Sequence, residues 1–399
     1  MLNSSGFLSQ YKNAFPQRAD LCSPRSARRA GGRPDIRAGH RLADVHDLVP
    51  LARFGRLVAT GLRDVTSDPE ALDSAGFWAV AADFEGGLTC ARFADVRTEA
   101  GPAPVPGRWR GPGRGDWTSS LDRAGYIAGV RRIREHIAAG EVYQANLCRV
   151  LTAPLPDPAA ADVDALTALL ACGNPAPYAG TIRLPSHGVE IATASPELYL
   201  RRDGETVESG PIKGTGRTAG DLLEKDHAEN VMIVDLVRND LGRVCATGSV
   251  SVPALCAVEA HPGLVHLVST VRGELGPKEG WQQLLGATFP PGSVTGAPKS
   301  SALRIIEALE TAPRGPYCGG IGWVDADRHT GELAVGIRTF WIDRTPVGGA
   351  VLRFGTGAGI TWGSDPEREW DETELKAARL LAIASSPEKQ GPVRQNRGL

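Results

Sequence analysis

Lysine is scarce in this chain of 399 residues, which carries only seven lysines among its 44 basic side chains. Arginine therefore supplies almost all of the positive charge. A guanidinium group stays protonated, whereas a lysine amine can lose its proton and act as a nucleophile. A lysine kept in such a background is a candidate for chemistry. The clearest one is Lys213, in segment 211–215 (Pro-Ile-Lys-Gly-Thr), for which a solvated lysine beside a turn is the alternative.

Motifs for disulfides and for soft metals are missing. The seven cysteines are an odd number without a Cys-x-x-Cys pair, which argues against a disulfide framework and a zinc site. The eight histidines form no His-x-x-x-His or His-Glu-x-x-His pattern. The cysteines are therefore predicted to be buried thiols. Any bound metal is expected to rest on carboxylates, which suits Mg²⁺.

Long apolar runs and a strong excess of one charge are also absent. No stretch approaches the ~20 apolar residues that span a bilayer, and the N-terminus lacks the apolar segment of a signal peptide. A net charge of −2 and a pI near 6.5 give no reason to expect a nucleic acid or an anionic membrane as a partner. The sequence predicts a cytoplasmic protein that binds a small metabolite.

Composition divides the chain into four parts. Residues 1–47 lack apolar periodicity and are predicted to be a disordered tail, with a transit peptide or a wrongly chosen start codon as alternatives. Residues 48–115 form a short segment of strand-like runs that ends in a linker rich in Pro and Gly at 101–115. Residues 116–385 are predicted to be the catalytic domain, and residues 386–399 are predicted to be a polar tail.

Local patterns predict an α+β fold. A cap at Ser119 or Ser120, apolar residues at helical spacing and Gly140 as a stop predict a first helix. Asp203 and Gly204 are the predicted turn of a hairpin. The other predicted elements are strands at 77–81, 142–151, 198–208, 320–342 and 351–354, and helices at 222–242, from 298 and from 366. Because these strands pair mostly with sequence neighbours, we expect antiparallel sheets covered by helices.

Two of these helices carry carboxylates three residues apart. Asp226 and Glu229 lie on one, whereas Glu369 and Glu372 lie on the last, one turn before Lys376. Each set therefore occupies one helical face. If the two faces meet, they form an acidic pocket that a hard divalent cation would neutralise. The alternative is ordinary surface charge with intrahelical salt bridges, such as Glu372 with Lys376.

Two glycine-rich segments complement the carboxylates. Segment 290–299 (Pro-Pro-Gly-Ser-Val-Thr-Gly-Ala-Pro-Lys) leads into a helix whose free amides and dipole favour an anion. Segment 355–359 (Gly-Thr-Gly-Ala-Gly) follows a predicted strand and offers further amides. It does not have the Gly-x-Gly-x-x-Gly spacing of a dinucleotide loop, and no βαβ unit surrounds it.

Two long motifs carry a family resemblance. Segment 229–243 reads Glu-Asn-Val-Met-Ile-Val-Asp-Leu-Val-Arg-Asn-Asp-Leu-Gly-Arg, and segment 292–299 reads Gly-Ser-Val-Thr-Gly-Ala-Pro-Lys. Both motifs resemble those of the chorismate-utilising enzymes, and the resemblance covers residues from about 119 to 381. The resemblance implies a fold of two large antiparallel sheets packed as a sandwich with helices outside.

Two positions distinguish reactions within this family. Lys213 is similar to the lysine of component I of aminodeoxychorismate synthases, where anthranilate synthases usually carry alanine. Gln144 stands where isochorismate and salicylate synthases carry a water-activating lysine. The resemblance therefore disfavours a water-adding enzyme and implies amination at C4 of chorismate.

The resemblance also implies catalytic roles. Glu197 would be the general acid that protonates the departing C4 hydroxyl of chorismate. Lys213 would add to C2, and ammonia would displace it by attacking C4. The residues that would hold Mg²⁺ are Glu229 and Glu372, supported by Asp226 and Glu369.

Substrate-binding positions follow from the same likeness. Arg338 would form a bidentate pair with the enolpyruvyl carboxylate of chorismate. The other implied positions are Tyr317, the amides of Gly357 and Gly359, Lys376 at the ring carboxylate, Thr215, Thr295 and His266. A satisfied core histidine is an equal alternative for His266. Arg238, Asn239 and Asp240 are expected to form a structural network.

The leading hypothesis is component I of an aminodeoxychorismate synthase, which would make the precursor of 4-aminobenzoate for folate or secondary metabolism. The short tail after the last helix leaves no room for a fused glutaminase, so ammonia is expected from a separate glutamine amidotransferase subunit or from solution. No Leu-Leu-Glu-Ser element is found, so tryptophan inhibition is not expected. An anthranilate synthase component I and a catalytically silent chorismate-binding subunit are the alternatives.

Overall fold

The structure is a computed structural model that describes residues 48–99, 109–216, 218–261 and 264–385. The predicted tails at 1–47 and 386–399 and the linker residues 101–108 lie outside the described residues. The end of the predicted linker is packed rather than loose. There, the Trp109 indole N–H donates to the Ala384 carbonyl oxygen at 2.7 Å.

Eighteen strands and six α-helices make up the described fold. The strands are β1 Leu51–Phe54, β2 Leu57–Thr66, β3 Phe77–Ala82, β4 Leu88–Thr98, β5 Thr118–Ser119, β6 Gln144–Pro154, β7 Tyr178–Leu184, β8 Val189–Ser195, β9 Leu198–Asp203, β10 Thr206–Gly210, β11 Ile212–Gly216, β12 Ser251–His261, β13 Leu264–Glu274, β14 Gly296–Ala297, β15 Gly320–Asp325, β16 Thr330–Val335, β17 Thr339–Arg344 and β18 Ala350–Ile360. The helices are α1 Arg123–Ala138, α2 Val163–Gly173, α3 Glu224–Leu241, α4 Trp281–Thr288, α5 Lys299–Leu309 and α6 Pro366–Ala384. Among the described residues, no helix combines the length and apolar character needed to cross a membrane.

The strands pair antiparallel and form one hydrogen-bonded network. The pairing runs from β6 through β18, β17, β8, β7, β1, β2, β4, β3, β15, β16, β9 and β10 to β13. The strands of the N-terminal segment thus share a sheet with those of the predicted catalytic domain. The predicted α+β class with antiparallel pairing is confirmed.

The predicted start of the first helix is corrected, whereas its predicted stop agrees with the structure. Asp122, rather than Ser119 or Ser120, caps α1, because its carboxylate accepts the Gly125 N–H at 2.7 Å. Gly140 follows the helix at φ 75°, as a helix stop requires.

The hairpin of β9 and β10 turns one residue later than predicted. Asp203 pairs with Thr206, so Gly204 and Glu205 form its two-residue loop. Gly204 has φ 62°, a left-handed conformation that glycine adopts without steric cost.

The glycine-rich segment 355–359 belongs to β18, which contradicts its prediction as a segment beyond a strand. Its glycines make room for neighbours. A Cβ on Gly355 would lie 2.0 Å from Cγ of Tyr317, so the aromatic ring packs directly on the strand. The prediction failed because repeated glycine lowers strand propensity, whereas the ring packing favours glycine here.

The predicted free thiols are confirmed for the six described cysteines, but only three of them are buried. Cys90, Cys148 and Cys318 are buried, whereas Cys172 is exposed on α2. Burial of every cysteine was therefore a wrong prediction.

Helices α3 and α6 border the strands that carry the predicted catalytic positions. Helix α3 packs on β11 and β13, and α6 packs on β18 and α1. The carboxylate-bearing helices therefore lie beside the strands that hold Lys213 and Gly357.

Candidate active site

Lys213 occupies the centre of the candidate site. It lies on β11, and its Nζ donates to the carbonyl oxygen of Ser293 at 3.1 Å. Burial around the ammonium lowers the pKa of Lys213, and the opposing charges of Glu229 and Glu197 do not fully offset this effect. A lowered pKa increases the fraction of neutral amine, which is the nucleophilic form.

Gly214 brings β11 close to α3. Its φ is 72°, and a Cβ at this position would lie 2.8 Å from Cβ of Asp226. Asp226 itself accepts the Leu223 N–H at 2.8 Å and so caps the first turn of α3. One turn further, Glu229 lies close enough to Lys213 for each charge to shift the other's pKa.

Glu197 is a buried acid between β8 and β9, with 4% exposure. Burial raises its pKa to about 7, although Ser293 and Lys213 act in the opposite direction. The Ser293 hydroxyl lies near this carboxyl but makes no hydrogen bond of regular geometry to any described residue. At neutral pH the Glu197 carboxyl is therefore about half protonated and can donate a proton.

The two predicted carboxylate faces meet. Burial raises the pKa of Glu229, and the charges of Asp226 and Glu372 raise it further. Burial would also raise the pKa of Glu372, but nearby ammonium groups outweigh it, and that pKa is lowered. The strongest of these groups is Lys376, whose Nζ lies 2.7 Å from Glu372 and 3.0 Å from the Gly357 carbonyl oxygen.

A further cation, which was not among the predicted site residues, lies in this pocket. Lys225, in the first turn of α3, lowers the pKa values of Glu229, Glu369 and Glu372 by its charge. Burial nevertheless leaves the pKa of Glu369 raised. Lys225 stands four residues before Glu229 on the same helix, so helical spacing did offer a signal for it, which the search for paired carboxylates did not use.

The carboxylates fit a magnesium ion. Within the described part of the chain, no three His, Cys, Asp or Glu side chains form a group that could hold a metal by themselves. Mg²⁺ keeps several waters and shares ligands with substrate oxygens, however, so two protein carboxylates suffice. The carboxyl group of Glu229 makes no hydrogen bond or ion pair with the side chain or backbone of a described residue. The residues that could hold the ion are Glu229 and Glu372.

Arg338 presents an unpaired positive charge. It precedes β17 with φ 52°, and its carbonyl oxygen accepts the Ala194 N–H at 3.0 Å, three residues before Glu197. Burial lowers its pKa, and its guanidinium has no hydrogen bond or ion pair with any described residue. A desolvated guanidinium without a partner favours an anionic ligand, and a carboxylate matches its geometry.

Tyr317 is a buried residue whose hydroxyl contacts Cys148. Its hydroxyl accepts a weak hydrogen bond from the Cys148 thiol at 3.9 Å, and burial raises its pKa well above the ordinary range. No described contact joins Tyr317 to Arg338. Its predicted role in binding substrate stays a prediction.

A row of buried amides extends from β18 to Lys213. A Cβ on Gly359 would lie 2.2 Å from Nε2 of Gln144, so this glycine gives Gln144 its place. Gln144 Nε2 donates to Asn146 Oδ1 at 3.4 Å, and Asn146 Nδ2 donates to the Ser293 carbonyl oxygen, also at 3.4 Å. That oxygen also accepts from Lys213. Gln144 Oε1 has no partner among the described residues.

Asn146 and Ser293 were missed as candidates, although both lie in motifs that the sequence displays. Asn146 is two residues from Gln144, and Ser293 stands in the glycine-rich segment 290–299. Their positions beside recognised motifs could have indicated them. Spacing along the chain, however, does not show that Asn146 and Lys213 both donate to the Ser293 carbonyl oxygen.

His266 and Thr215 lie on paired strands, and Thr295 lies in the glycine-rich segment 290–299. His266 is buried on β13 and pairs in register with Thr215 of β11. The Thr295 hydroxyl donates to the Pro291 and Gly292 carbonyl oxygens at 3.2 and 3.1 Å, so it stabilises its own loop. Contacts of these residues with a substrate stay predictions, as do those of the Gly357 and Gly359 amides.

Asp240 forms the expected structural network. It is buried and accepts from Lys299 Nζ at 2.6 Å and from Arg243 at 2.7 Å. Arg238 differs, because it makes an exposed ion pair with Asp235 at 2.9 Å. The strong motif therefore reflects packing around Asp240.

Comparison with known proteins identifies the family of the chain. The sequence profile of the chorismate-binding enzyme family matches residues 88–382. Anthranilate synthase component 1 of Thermus thermophilus is 37% identical over 334 residues, which are 80% of this chain and 66% of that protein. Aminodeoxychorismate synthase component 1 of Escherichia coli is 36% identical over 280 residues, 67% of this chain and 59% of that protein.

The fold has close structural counterparts as well. The crystal structure of anthranilate synthase component I from Streptococcus pneumoniae superposes with a TM-score of 0.69 at 22% identity, covering 88% of this chain and 95% of that one. The matches to the two curated relatives span 59% to 66% of their lengths. Because the family profile covers most of the sequence, the chain belongs to the chorismate-binding enzyme family.

Proposed function

We propose that the protein is component I of an aminodeoxychorismate synthase, which converts chorismate and ammonia to 4-amino-4-deoxychorismate. The observation that supports this most is the environment of Lys213. Its amine has a lowered pKa, lies 3.1 Å from the Ser293 carbonyl oxygen and is close to the buried acid Glu197. A poised amine beside a proton donor suits covalent addition to a substrate.

Charged side chains would hold the substrate in this proposal. Arg338 would bind the enolpyruvyl carboxylate, and Lys376 would leave Glu372 to neutralise the ring carboxylate. Glu229 and Glu372 would hold Mg²⁺. When bound, the ion supplies positive charge that anchors and polarises the ring carboxylate.

The first chemical step would join Lys213 Nζ to C2 of the ring. The neutral amine donates its electron pair to C2, the two conjugated double bonds of the ring each shift by one position, and the C4–oxygen bond breaks. Glu197 gives its proton to the departing hydroxyl, which leaves as water. The new C2 ammonium then returns a proton to the Glu197 carboxylate.

The second step would release the lysine. Ammonia attacks C4, the two double bonds shift back, and the C2–nitrogen bond breaks with its electron pair returning to Nζ. Glu197 protonates the leaving nitrogen to give the neutral amine, and the new C4 ammonium can return that proton. The sum is chorismate plus ammonia to 4-amino-4-deoxychorismate plus water.

The proposal includes partners. Ammonia would come from a separate glutamine amidotransferase subunit or from solution, and the product would serve 4-aminobenzoate formation for folate or secondary metabolism. The cytoplasmic location inferred from the sequence stays a prediction.

Anthranilate synthase component I is the second candidate. The observation that favours it is the 37% identity with the Thermus thermophilus anthranilate synthase component 1 over 80% of this chain. Such an enzyme should not depend on Lys213, which separates the two candidates experimentally.

Product identity tests the proposal. The purified chain is incubated with chorismate, Mg²⁺ and excess ammonium at mildly alkaline pH, and the product is identified by mass and by conversion with an aminodeoxychorismate lyase. Formation of 4-amino-4-deoxychorismate is expected. Anthranilate would replace the proposal with the second candidate, and chorismate binding without turnover would indicate a catalytically silent subunit.

A further inference from the structure

Asn230 ties helix α3 to the sheet directly beside Glu229. Although its side chain is polar, the residue is fully buried, with 0% exposure. Its Nδ2 donates to the Leu267 carbonyl oxygen of β13 at 3.2 Å. Its Oδ1 accepts from the Ser269 hydroxyl of the same strand and, weakly, from the Cys256 thiol at 3.6 Å. A buried amide is costly unless both of its ends are paired, and here both are.

A neighbouring hydrogen bond determines the orientation of this amide. The Ser269 hydroxyl oxygen accepts the Cys256 N–H at 2.8 Å. Its single proton is therefore left for Oδ1 of Asn230. The amide nitrogen then faces the Leu267 carbonyl oxygen, which can only accept. Because every donor in this chain of contacts has an acceptor, the amide is held in one orientation.

The backbone of β12 is distorted where it joins these contacts. Cys256 has φ 52°, a conformation that residues other than glycine adopt at a cost. The register of β12 on β13 shifts between Ala254 and Ala257, so Cys256 lies in an irregular stretch of the strand. In this conformation its N–H donates to Ser269. Such strain persists where surrounding contacts hold it, and the contacts that hold it here lead to Asn230.

Glu229 lies between two points at which α3 is held close to the sheet. Before it, the first turn of α3 lies against Gly214 of β11, where an added Cβ would come within 2.8 Å of a helix side chain. After it, Asn230 is bonded to the backbone of Leu267. Leu267 is in turn the register partner of Lys213. The helix is therefore fixed to the strands around Lys213 on both sides of Glu229.

We propose that Asn230 is a positioning residue that holds the Glu229 carboxyl group at a fixed place relative to Lys213. The inference rests on the proposed function, in which Glu229 holds Mg²⁺ and Lys213 attacks the substrate. Asn230 acts through the backbone of α3 and contacts neither the ion nor the substrate. A displacement of about 1 Å in a positioned group can cost about 100-fold in rate, so a fixed helix matters for the reaction.

Mg²⁺ binding tests the inference without turnover. Isothermal titration calorimetry with Mg²⁺ alone compares the full-length wild type, Asn230→Ala and Ser269→Ala. Asn230→Ala should weaken Mg²⁺ binding about tenfold or more, the usual loss when a group that orients a metal ligand is removed. Ser269→Ala leaves α3 unchanged and removes one hydrogen bond to the amide, so it should weaken Mg²⁺ binding about threefold.

Val237→Ala is the control for lost stability. Val237 is buried on α3, about two turns beyond Asn230. Its truncation weakens the packing of the helix but leaves the amide contacts in place, so Mg²⁺ affinity should stay close to that of the wild type. Urea unfolding checks that every variant is folded. Unchanged Mg²⁺ affinity in folded Asn230→Ala and Ser269→Ala, an equal loss in Val237→Ala, or no Mg²⁺ binding by the wild type would overturn the inference.

Steady-state kinetics separate positioning from a loss of folded protein. At saturating Mg²⁺, Asn230→Ala should lower kcat for chorismate consumption about tenfold or more with little change in KM. A loss of kcat as large in Val237→Ala would show that Asn230 only stabilises the fold. Product identity decides the proposed function separately, since a wild type that forms anthranilate would reject that function and leave the Mg²⁺ affinities valid.

Discussion

The carboxyl group of Glu197 combines a chemical role with a cost to folding. Its pKa is about 7 in the folded protein, against an ordinary value of 4.5, chiefly because it is buried. A raised acid pKa means that its contribution to stability is fully present below pH ~4.5 and is lost as the pH rises through ~7. Holding the carboxylate ionised above that range costs about 3 kcal/mol.

Glu197→Gln should therefore be more stable than the wild type at pH 8 and less active. The gain in the free energy of unfolding should reach about 3 kcal/mol at pH 8 and fall below about 1 kcal/mol near pH 5, because the folded acid is then neutral and similar to the amide. Turnover should fall about 100-fold or more, because the proton donor is gone. Urea unfolding at both pH values measures the first effect, and product formation measures the second.

The exposed Glu135→Gln is the matched control for that substitution. Its side chain lies at the surface of α1 and pairs with Arg132, so its removal should leave the pH dependence of stability close to that of the wild type. A Glu197→Gln protein that gains no stability between pH 5 and pH 8 would contradict the burial argument.

The residue scale also shows what the sequence could and could not predict. Lys213 and Glu197 were identified from their motifs, and the structure places them near one another. The supporting contacts of Asn146 and Ser293 join residues 147 positions apart. Such contacts depend on tertiary packing, which residue spacing does not encode.

At the scale of elements, the periodic helices were predicted better than the strands. Helices α3 and α6 begin within about two residues of their predicted starts, because apolar spacing and caps are local signals. The region predicted as paired strands at 320–342 contains three strands, β15 to β17. Strand ends depend on pairing partners elsewhere in the chain, so local patterns define them poorly.

Gly355→Ala tests the packing that makes β18 a strand. The new methyl group would overlap the Tyr317 ring, which is 6% exposed and cannot move away freely. The free energy of unfolding should fall by about 1–3 kcal/mol or more, the usual cost of overpacking a core. Chemical denaturation measures this loss.

Gly363→Ala is the matched glycine control, because no atom lies within 4 Å of its added Cβ. It should leave the free energy of unfolding nearly unchanged. Equal stability of the Gly355→Ala and Gly363→Ala proteins would show that the ring does not pack on β18 as described.

At the scale of the whole molecule, Arg314 connects distant parts of the chain. Its guanidinium is buried and donates to Glu310 and to the carbonyl oxygens of Val294 and Asn146 at 2.9 and 3.2 Å. Its backbone N–H donates to Glu85 in the turn after β3. One residue thereby joins the N-terminal strands, α5, the glycine-rich loop and β6.

Arg314→Ala should destabilise the protein by about 3–5 kcal/mol, because it leaves Glu310 buried without its cation. The melting temperature and the urea midpoint measure the loss. The control is Arg123→Ala, which removes an exposed ion pair with Glu367 and should cost less than about 1 kcal/mol. Similar losses in both variants would show that the buried pair does not hold these segments together.

The covalent role of Lys213 is the central claim, and the Lys213→Ala variant tests it most directly. The rate of 4-amino-4-deoxychorismate formation from chorismate, Mg²⁺ and ammonium is compared in the wild type, Lys213→Ala and the exposed control Lys278→Ala. The account predicts a loss of about a thousandfold or more in Lys213→Ala, as expected when a nucleophile is removed, with chorismate binding retained and Lys278→Ala unaffected. An undiminished rate in the folded Lys213→Ala protein would contradict it.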